Sequence, residues 1–311
     1  MKKIIFLALT ILLVACTEKE PVRSDSTSST DKPVVMTSNY PLYFFTREIA
    51  GESIAVHFPE IDGDPAMWAP SGPEAGQLQD VDLLILNGAG YESWLAFTTL
   101  PGGHSLDTTA QLQDNLLAIE NETMHQHGPA GKHSHQGTAF TTWLDPQLAI
   151  EQARAVMQGL SRLAPEQSEF FRTNFENLEQ RLNQLDSLFA EAFAELGGQP
   201  VIFSHPVYQY LQHRYRINGR STHWEADIEP GTKDWIDFGK LLRGHPAEVM
   251  IWEESPIDPI RNNLLQRGLD IVVFRPAGNQ PTGGDYFTVM EQNLLELTTY
   301  TKQFKKNNNL K

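Results

Sequence analysis

Short apolar runs alternate with segments in which apolar residues recur at helical spacing, and this alternation occurs in two blocks. The first block predicts strands at 34–38, 54–58, 81–88 and 116–120, with helices at 42–51 and 73–80. The second block predicts strands at 200–204, 220–224, 248–253 and 270–274, again with helices between them. Strands that alternate with helices form parallel sheets. The pattern therefore predicts an α/β protein of two lobes, each a mostly parallel four-stranded sheet flanked by helices.

The segment between the two blocks, residues 143–198, is predicted to be a helical connection. Asp145 is suited to cap a first helix, Pro146 to occupy its first position, and Pro165 to end it. A second helix follows, with apolar residues at positions 171, 175, 178, 182, 185, 189 and 193. At 1.5 Å per residue this helix is roughly 45 Å long, enough to join the lobes as one long backbone helix. The expected boundaries are 34–142 for the N-terminal lobe and 199–308 for the C-terminal lobe.

The N-terminus predicts where the protein is delivered. Two lysines and an apolar run at 4–15 indicate a signal peptide at residues 1–15, because the run is too short to span a bilayer comfortably. The letters LVAC at 13–16 resemble the bacterial lipoprotein lipobox, which implies cleavage before Cys16 and attachment of lipid to it. An ordinary membrane anchor is the alternative. The polar stretch 16–33 is then a flexible tether, so we expect a lipid-anchored protein in the periplasm or at the cell surface.

Charge and cysteine content narrow the partners and the chemistry. The 311-residue chain has a formal net charge of −15, which makes it a poor nucleic-acid binder and weakly concentrates cations at its surface. Cys16 is the only cysteine, so the mature chain offers no disulfide and no thiolate ligand. The sequence also lacks His-Glu-x-x-His, Gly-x-Ser-x-Gly and phosphate-loop motifs, and we expect no enzyme.

A polar, glycine-containing stretch at 124–137 concentrates histidine. It carries two His-x-His pairs, formed by His125, His127, His133 and His135. Imidazole at this density predicts a loop that binds divalent metal weakly and collects it, although a solvated loop with incidental histidines is the alternative. Capture by such a loop is expected to fail at acidic pH, because free histidine protonates near pH 6.5.

Several segments together resemble the zinc/manganese binding proteins of ABC importers, in order and in spacing. They are SNYPLYFFTREIAGE (38–52), GDPAMWAPSGPEAGQLQDVDLLILNGAGYESWL (63–95), TWLDPQLA (142–149), SHPVYQYLQHRYRI (204–217) and VMEQNLLEL (289–297). The resemblance implies a two-lobed periplasmic or lipid-anchored receptor that delivers metal to an ABC permease. The zinc branch of the family also carries a His-rich loop just before its WLDP segment, where 124–137 lies here.

The positions that this resemblance assigns to metal ligands are mostly altered. The histidine expected after the Asp-Pro pair is Ala66, and the histidine expected two residues before the Trp of WLDP is Thr141. The aspartate expected after the last strand is Arg275, which removes an anionic ligand and adds a cation. His205 alone matches its expected ligand. The family site is therefore either rebuilt from other residues or lost.

Replacement ligands are expected beyond the carboxyl ends of the strands, where open α/β sheets bind their ligands. His205, His223, Glu225 and Glu253 all lie at predicted strand ends of the second lobe. Two imidazoles with one carboxylate from Glu225 or Glu253 would form a zinc site once a water or a fourth residue is added. Glu253 could instead orient a histidine, and Arg275 could pair with Glu253 or Glu254.

Three functions remain open from the sequence. The leading hypothesis is a monomeric receptor that captures zinc, or a related divalent metal, for an ABC permease. The second is a metal buffer or chaperone that acts through the His-rich loop. The third keeps the receptor fold but binds a metal chelate or small anion through Arg275 and Arg220.

Overall fold

The protein forms two parallel sheets in a computed structural model that describes residues 32–100, 102–119, 124–126, 132–134 and 137–308. Within these residues each sheet has four strands. The N-terminal sheet has the order β2-β1-β3-β4, with β1 Val34–Thr37, β2 Ala55–His57, β3 Leu83–Leu86 and β4 Ser105–Asp107. The C-terminal sheet has the order β10-β9-β7-β8, with β7 Val201–Phe203, β8 Gly219–Ser221, β9 Val249–Trp252 and β10 Asp270–Val273. Every pairing in these two sheets is parallel, which confirms the predicted fold class.

Helices connect and cover the strands. In the described part of the chain they are α1 Tyr40–Ala50, α2 Gly72–Gln79, α3 Pro146–Leu163, α4 Ser168–Ala194, α5 Gln209–Tyr215, α6 Thr232–Gly244, α7 Asp258–Gln266 and α8 Tyr286–Asn308. The sequence accounts for several of their starting points. Asn39 caps α1 by accepting a hydrogen bond from the backbone N–H of Leu42. Asp145 caps α3 in the same way, with Pro146 at the first position as predicted.

The predicted long helix is α4, whose apolar stripe lies in the core. All seven positions that set its period are buried: Phe171, Phe175, Leu178, Leu182, Leu185, Phe189 and Phe193. The helix ends at Ala194, so its 27 residues extend about 40 Å rather than the predicted 45 Å. One hydrophobic cluster runs from Ile85 of the first sheet through α4 to Phe203 of the second. The lobes therefore share a core along the connecting helix.

The predicted fourth strand of the first lobe, at 116–120, is wrong. The edge strand is β4, in which Leu106 is the only apolar residue, so the sequence carries no apolar pattern there. The apolar residues of 116–119 pack instead beside Leu112, Leu148 and Tyr210 in a small side cluster. Ala118 makes only an isolated bridge to Thr138. Burial in a side cluster thus produced the apolar run that resembled a strand.

The His-rich segment contains an antiparallel pair of strands, β5 Met124–Gln126 and β6 Lys132–Ser134. In its register His125 lies opposite His133. His127, His135, Cys16, the signal peptide and most of the tether lie outside the described residues. Among the described helices, none combines the length and the apolar character needed to span a membrane.

Candidate metal centre

The two sheets share one topology, in which the first strand is flanked by the second and third strands of its lobe. Such a sheet has its topological switch point between the first and third strands, and ligands bind outside the carboxyl ends there. In the C-terminal sheet these strands are β7 and β9. His205 comes two residues after β7, and Glu253 comes directly after β9. The fold therefore places an imidazole and a carboxylate at the switch point.

All four strands of the C-terminal sheet deliver a polar residue to this same edge. His223 lies two residues beyond β8, and Arg275 lies two residues beyond β10. Backbone hydrogen bonds from Thr222 to Phe203 (2.8 Å) and from Trp224 to Ser204 (2.8 Å) hold the chain after β8 beside the chain after β7. This continuation of the pairing is what sets His223 and Glu225 next to His205.

His205 is buried and contacts two of the other predicted ligands. Its Nδ1 atom lies 3.5 Å from Oε1 of Glu225, and its ring lies edge-on to that of His223 with centroids 5.7 Å apart. The Glu225 side chain is 37% exposed, so it has room to change rotamer. The structure thus brings together His205, His223 and Glu225.

Glu253 lies at the same edge, directly after β9. Burial, together with the negative charges of Asp64, Glu225 and Glu254, raises the pKa of Glu253 to about 8. Glu254 is mostly exposed, and its Oε1 lies 3.9 Å from Nε of Arg275. The expected pairing of Arg275 is therefore found with Glu254.

Asp64 is a neighbour of this site that the sequence analysis did not single out. It belongs to the N-terminal lobe and caps the short 3-10 turn Pro65–Met67, where its Oδ1 accepts a hydrogen bond of 2.9 Å from the N–H of Ala66. Its negative charge contributes to the raised pKa of Glu253 in the other lobe. The Asp-Pro pair in GDPAMW was the clue in the sequence that could have singled out Asp64. An aspartate directly before a proline is typical of a residue whose side chain caps the start of a helical turn.

Two positions where the resemblance expects ligands make structural contacts, Thr141 between the lobes and Arg275 within the second lobe. Oγ1 of Thr141 donates a 2.6 Å hydrogen bond to the carbonyl of Val207 in the second lobe. The backbone of Arg275 is fixed by Asn293, which accepts from its N–H and donates to its carbonyl, both at 2.8 Å. Ala66, at the third position, is buried and apolar.

The switch point of the first lobe carries polar residues that bond to one another. Asn39 follows β1 and donates to Oδ1 of Asn87, which follows β3, at 3.0 Å. Glu92 accepts hydrogen bonds from the Ser38 hydroxyl and from the N–H groups of Asn87 and Gly88. This network is buried, so it stabilises the lobe and leaves the ligands to come from elsewhere.

The side chains at the cleft are close without yet forming a coordination shell. In the part of the chain that the structure describes, no three His, Asp or Glu side chains are arranged to hold one metal ion. A groove of about 470 Å³ opens beside His223 and Glu225, with Trp224 and Phe238 among the residues that line it. Binding by this set therefore requires side-chain rotation at the cleft.

Two parallel-sheet lobes, joined through a long helix and with polar residues gathered at the strand ends, define a two-lobed solute-binding protein. Residues 35–300 match the family model of ZnuA, the periplasmic component A of the zinc-uptake complex. The chain belongs to this family. The match covers both lobes and the connecting helix, which confirms the resemblance drawn from the sequence.

Individual relatives agree with this assignment. The chain is 26% identical to the zinc-binding lipoprotein AdcA of Streptococcus pneumoniae over 97% of its own length and 62% of AdcA. It thus spans less than two thirds of that relative. It is 23% identical to the high-affinity zinc uptake system protein ZnuA of Bacillus subtilis, with 93% of each chain covered.

Solved structures share the fold. The metal-dependent lipoprotein YcdH of Bacillus subtilis superposes with a TM-score of 0.73 at 21% identity, covering 86% of this chain and 98% of YcdH. The Zn(II)-bound ZnuA-like domain of Streptococcus pneumoniae AdcA superposes with a TM-score of 0.71 at 21% identity, covering 87% of this chain and 99% of that domain. At 21% sequence identity, these superpositions show that the fold is shared and nothing more.

Proposed function

We propose that this protein is a receptor that captures zinc in the cleft between its lobes and delivers it to an ABC import permease. Family membership and the names of the relatives, a zinc-binding lipoprotein and a zinc uptake protein, support zinc as the cargo. The lipobox-like LVAC supports a lipid on Cys16. In this proposal the stretch 16–33 is a tether that holds the protein near the permease. The body is a monomer with lobes at 34–142 and 199–308.

The observation that carries the proposal is the approach of Glu225 to His205, with His223 on the same edge. Zinc without thiolates is bound by imidazole and carboxylate, usually four donors in a tetrahedron. Two imidazoles and the Glu225 carboxylate lie within one side-chain rotation of each other. With Glu253 at the adjacent switch-point strand, the cleft can supply a complete ligand set.

The charge of the site favours a cation over an anion. The carboxylate of Glu253 lies at this edge, and the negative charges of Asp64, Glu225 and Glu254 act on it. The guanidinium of Arg275 is near Glu254, which neutralises much of its attraction for an anion. A receptor for a small anion would bring it into a predominantly negative space. We therefore favour the metal cation over the anion alternative.

The His-rich hairpin fits an accessory role in this scheme. His125 and His133 lie opposite each other in the register of the two short strands. Such a pair would collect divalent ions, and the cleft would hold the ion that is delivered. If the hairpin were the sole zinc binder, the protein would be a buffer.

A zinc competition titration separates these two functions. The mature chain is prepared with His125, His127, His133 and His135 replaced by Ala, and zinc affinity is measured with and without His205→Ala. We expect one tight site that His205→Ala abolishes. His213→Ala is the matched control, since His213 is an exposed histidine of the same lobe. A four-alanine variant without a tight site would contradict the receptor function and leave buffering.

A further inference from the structure

We propose that the loop between β10 and α8, residues 276–284, is a lid over the cleft, and that Asn279 latches this lid loop to the N-terminal lobe. The inference rests on the proposed zinc-capturing function and deepens it, because the lid loop would set the rates at which cargo enters and leaves. It concerns the entry path to the cleft and adds no metal ligand.

Both ends of the lid loop are fixed to the C-terminal lobe. Arg275, directly before it, is held by the buried Asn293, which accepts from its N–H and donates to its carbonyl, both at 2.8 Å. Asp285, directly after it, accepts hydrogen bonds of 2.8 Å from the N–H and from the hydroxyl of Thr288 in α8. Movement is therefore expected only between these two fixed points.

The first half of the lid loop is bonded to residues outside the C-terminal lobe. Nε1 of Trp143 donates to the carbonyl of Pro276 at 2.7 Å, and the N–H of Tyr40 donates to the carbonyl of Gly278 at 3.0 Å. Tyr40 lies three residues after β1, at the carboxyl-end edge of the first sheet. The lid loop itself starts at the carboxyl-end edge of the second sheet, after β10. It therefore crosses from one strand-end edge to the other, over the cleft.

Asn279 carries the bonds that close this crossing. Its Nδ2 donates to the carbonyls of Ile61 and Gly63, both at 2.8 Å, in the chain that follows β2 of the first lobe. Residues 276–279 are half-buried, whereas 280–284 are mostly exposed. The Asn279 side chain thus holds the lid loop at the boundary between these two parts, and its removal breaks both bonds at once.

The backbone beside this latch is strained. Ala277 has a φ of 58°, in the left-handed region that is unfavourable for residues other than glycine. Such a conformation persists only where the surrounding contacts enforce it. Here the bonds to Pro276 and Gly278 lie on either side of Ala277. The strain favours release of the lid loop, and the latch opposes it.

A movable lid opens the cleft without separating the lobes. One hydrophobic cluster runs through both lobes along α4, so that moving the lobes apart would expose apolar core to water. Releasing the lid loop breaks a few hydrogen bonds and leaves this core intact. The bonds of Asn279 go to backbone carbonyls rather than to residues assigned to the metal centre. Loss of the latch is therefore expected to raise the rates of capture and release together and to leave affinity nearly unchanged.

Amide exchange in the absence of metal tests the latch itself. The N–H of Tyr40 is bonded to the lid loop and that of Tyr43 to Asn39, so the two report separately on the lid loop and on the start of α1. In the mature chain we expect Asn279→Ala to speed exchange at Tyr40 about tenfold and to leave Tyr43 unchanged. Asn262→Ala, at an exposed asparagine of the same lobe, is the matched control. Equal exchange at Tyr40 in the two variants would overturn the latch.

Stopped-flow kinetics test the consequence for the cargo, with the four loop histidines of the mature chain replaced by Ala. We expect Asn279→Ala to raise the rate constants for zinc capture and for zinc release to a chelator by about tenfold each. The zinc affinity is expected to stay within about twofold of that of Asn262→Ala, because both rates change alike. A weaker affinity at an unchanged capture rate would overturn the lid and make Asn279 a residue that positions the metal site.

Failure of the lid is distinguishable from failure of the proposed function. If Asn279→Ala changes neither Tyr40 exchange nor the zinc rates while His205→Ala abolishes tight binding, the receptor function stands and the lid is overturned. If His205→Ala leaves zinc affinity unchanged, the cleft site is overturned. Faster exchange at Tyr40 would then show a movable loop without the role in metal capture.

Discussion

Nδ1 of His205 lies 3.5 Å from Oε1 of Glu225, and the two residues follow neighbouring strands of the second sheet. Glu225→Gln removes the anionic donor and keeps the size of the side chain. We expect this change to weaken zinc binding about ten- to hundredfold in a competition titration. Glu248→Gln, at an exposed glutamate of the same lobe, is the control. An affinity equal to that of the control would exclude Glu225 from the site.

Restoring an anionic residue at position 275 is expected to strengthen the site. Arg275→Asp removes the cation beside Glu254 and introduces the residue that the family resemblance expects. The backbone there is held by Asn293 through two hydrogen bonds, so the new side chain starts from a fixed position. We expect zinc affinity to rise by about tenfold, which is 1.4 kcal/mol.

Arg220→Asp makes the same change in charge at an exposed residue of β8 and serves as the control for Arg275→Asp. An equal gain in both variants would show that net charge, rather than a ligand at position 275, changed the affinity. A loss of affinity in Arg275→Asp alone would contradict the account.

Asp186 ties the connecting helix to its neighbours and is expected to matter for stability. On α4, it accepts hydrogen bonds from Arg214, from the Tyr215 hydroxyl (2.9 Å) and from Gln147 (3.0 Å). Asp186→Asn removes the negative charge from this nearly buried side chain. It also replaces one acceptor oxygen with an NH2 group, which then faces the hydrogen-bond donors of the neighbouring residues. We expect the free energy of unfolding to fall by about 2–3 kcal/mol in urea titrations. Glu191→Gln, exposed on the same helix, is expected to stay within about 0.5 kcal/mol of wild type.

The buried Glu92 predicts a pH-dependent stability. Burial raises its pKa from 4.5 to about 7, even though it accepts three hydrogen bonds. Between these two values the folded state holds the proton more tightly than the unfolded state. The stabilising contribution of Glu92 to the free energy of unfolding is therefore fully present below about pH 4.5 and is lost as the pH rises through about 7. The loss amounts to about 3 kcal/mol at most.

Comparison with Glu92→Gln isolates this contribution. Unfolding free energies are measured in urea at pH 5 and pH 8 for wild type and for Glu92→Gln. The unfolding free energy of wild type minus that of Glu92→Gln is expected to be smaller at pH 8 than at pH 5. Glu60→Gln, at an exposed glutamate, should leave the pH profile of wild type unchanged. A difference that is constant with pH would mean that Glu92 does not titrate in this range.

The elements that the sequence predicted well are those with strong local signals. The apolar stripe of α4, the cap at Asp145 and the strand leading to His205 each depend on residues close together in the chain. The edge strand β4 was missed because Leu106 is its only apolar residue, and one apolar residue makes no detectable pattern. A burial pattern predicts a strand only where several apolar residues recur along it.

The candidate site was predictable only in part, for a physical reason. His205, His223 and Glu253 could be found because parallel strands deliver their carboxyl ends to one edge. Contacts between the lobes could not be predicted, because they join residues that are far apart in the chain, such as Asn279 and Ile61. Likewise, the hydrogen bond from Thr141 to Val207 shows how a lost ligand position is reused to join the lobes.

The most direct test of the central claim is anomalous diffraction at the zinc edge from crystals of the zinc-loaded mature protein. We expect one strong peak in the cleft, about 2.0–2.1 Å from a ring nitrogen of His205, with His223 and a carboxylate completing the shell. Zinc found at the His-rich hairpin, with none at His205, would contradict the account.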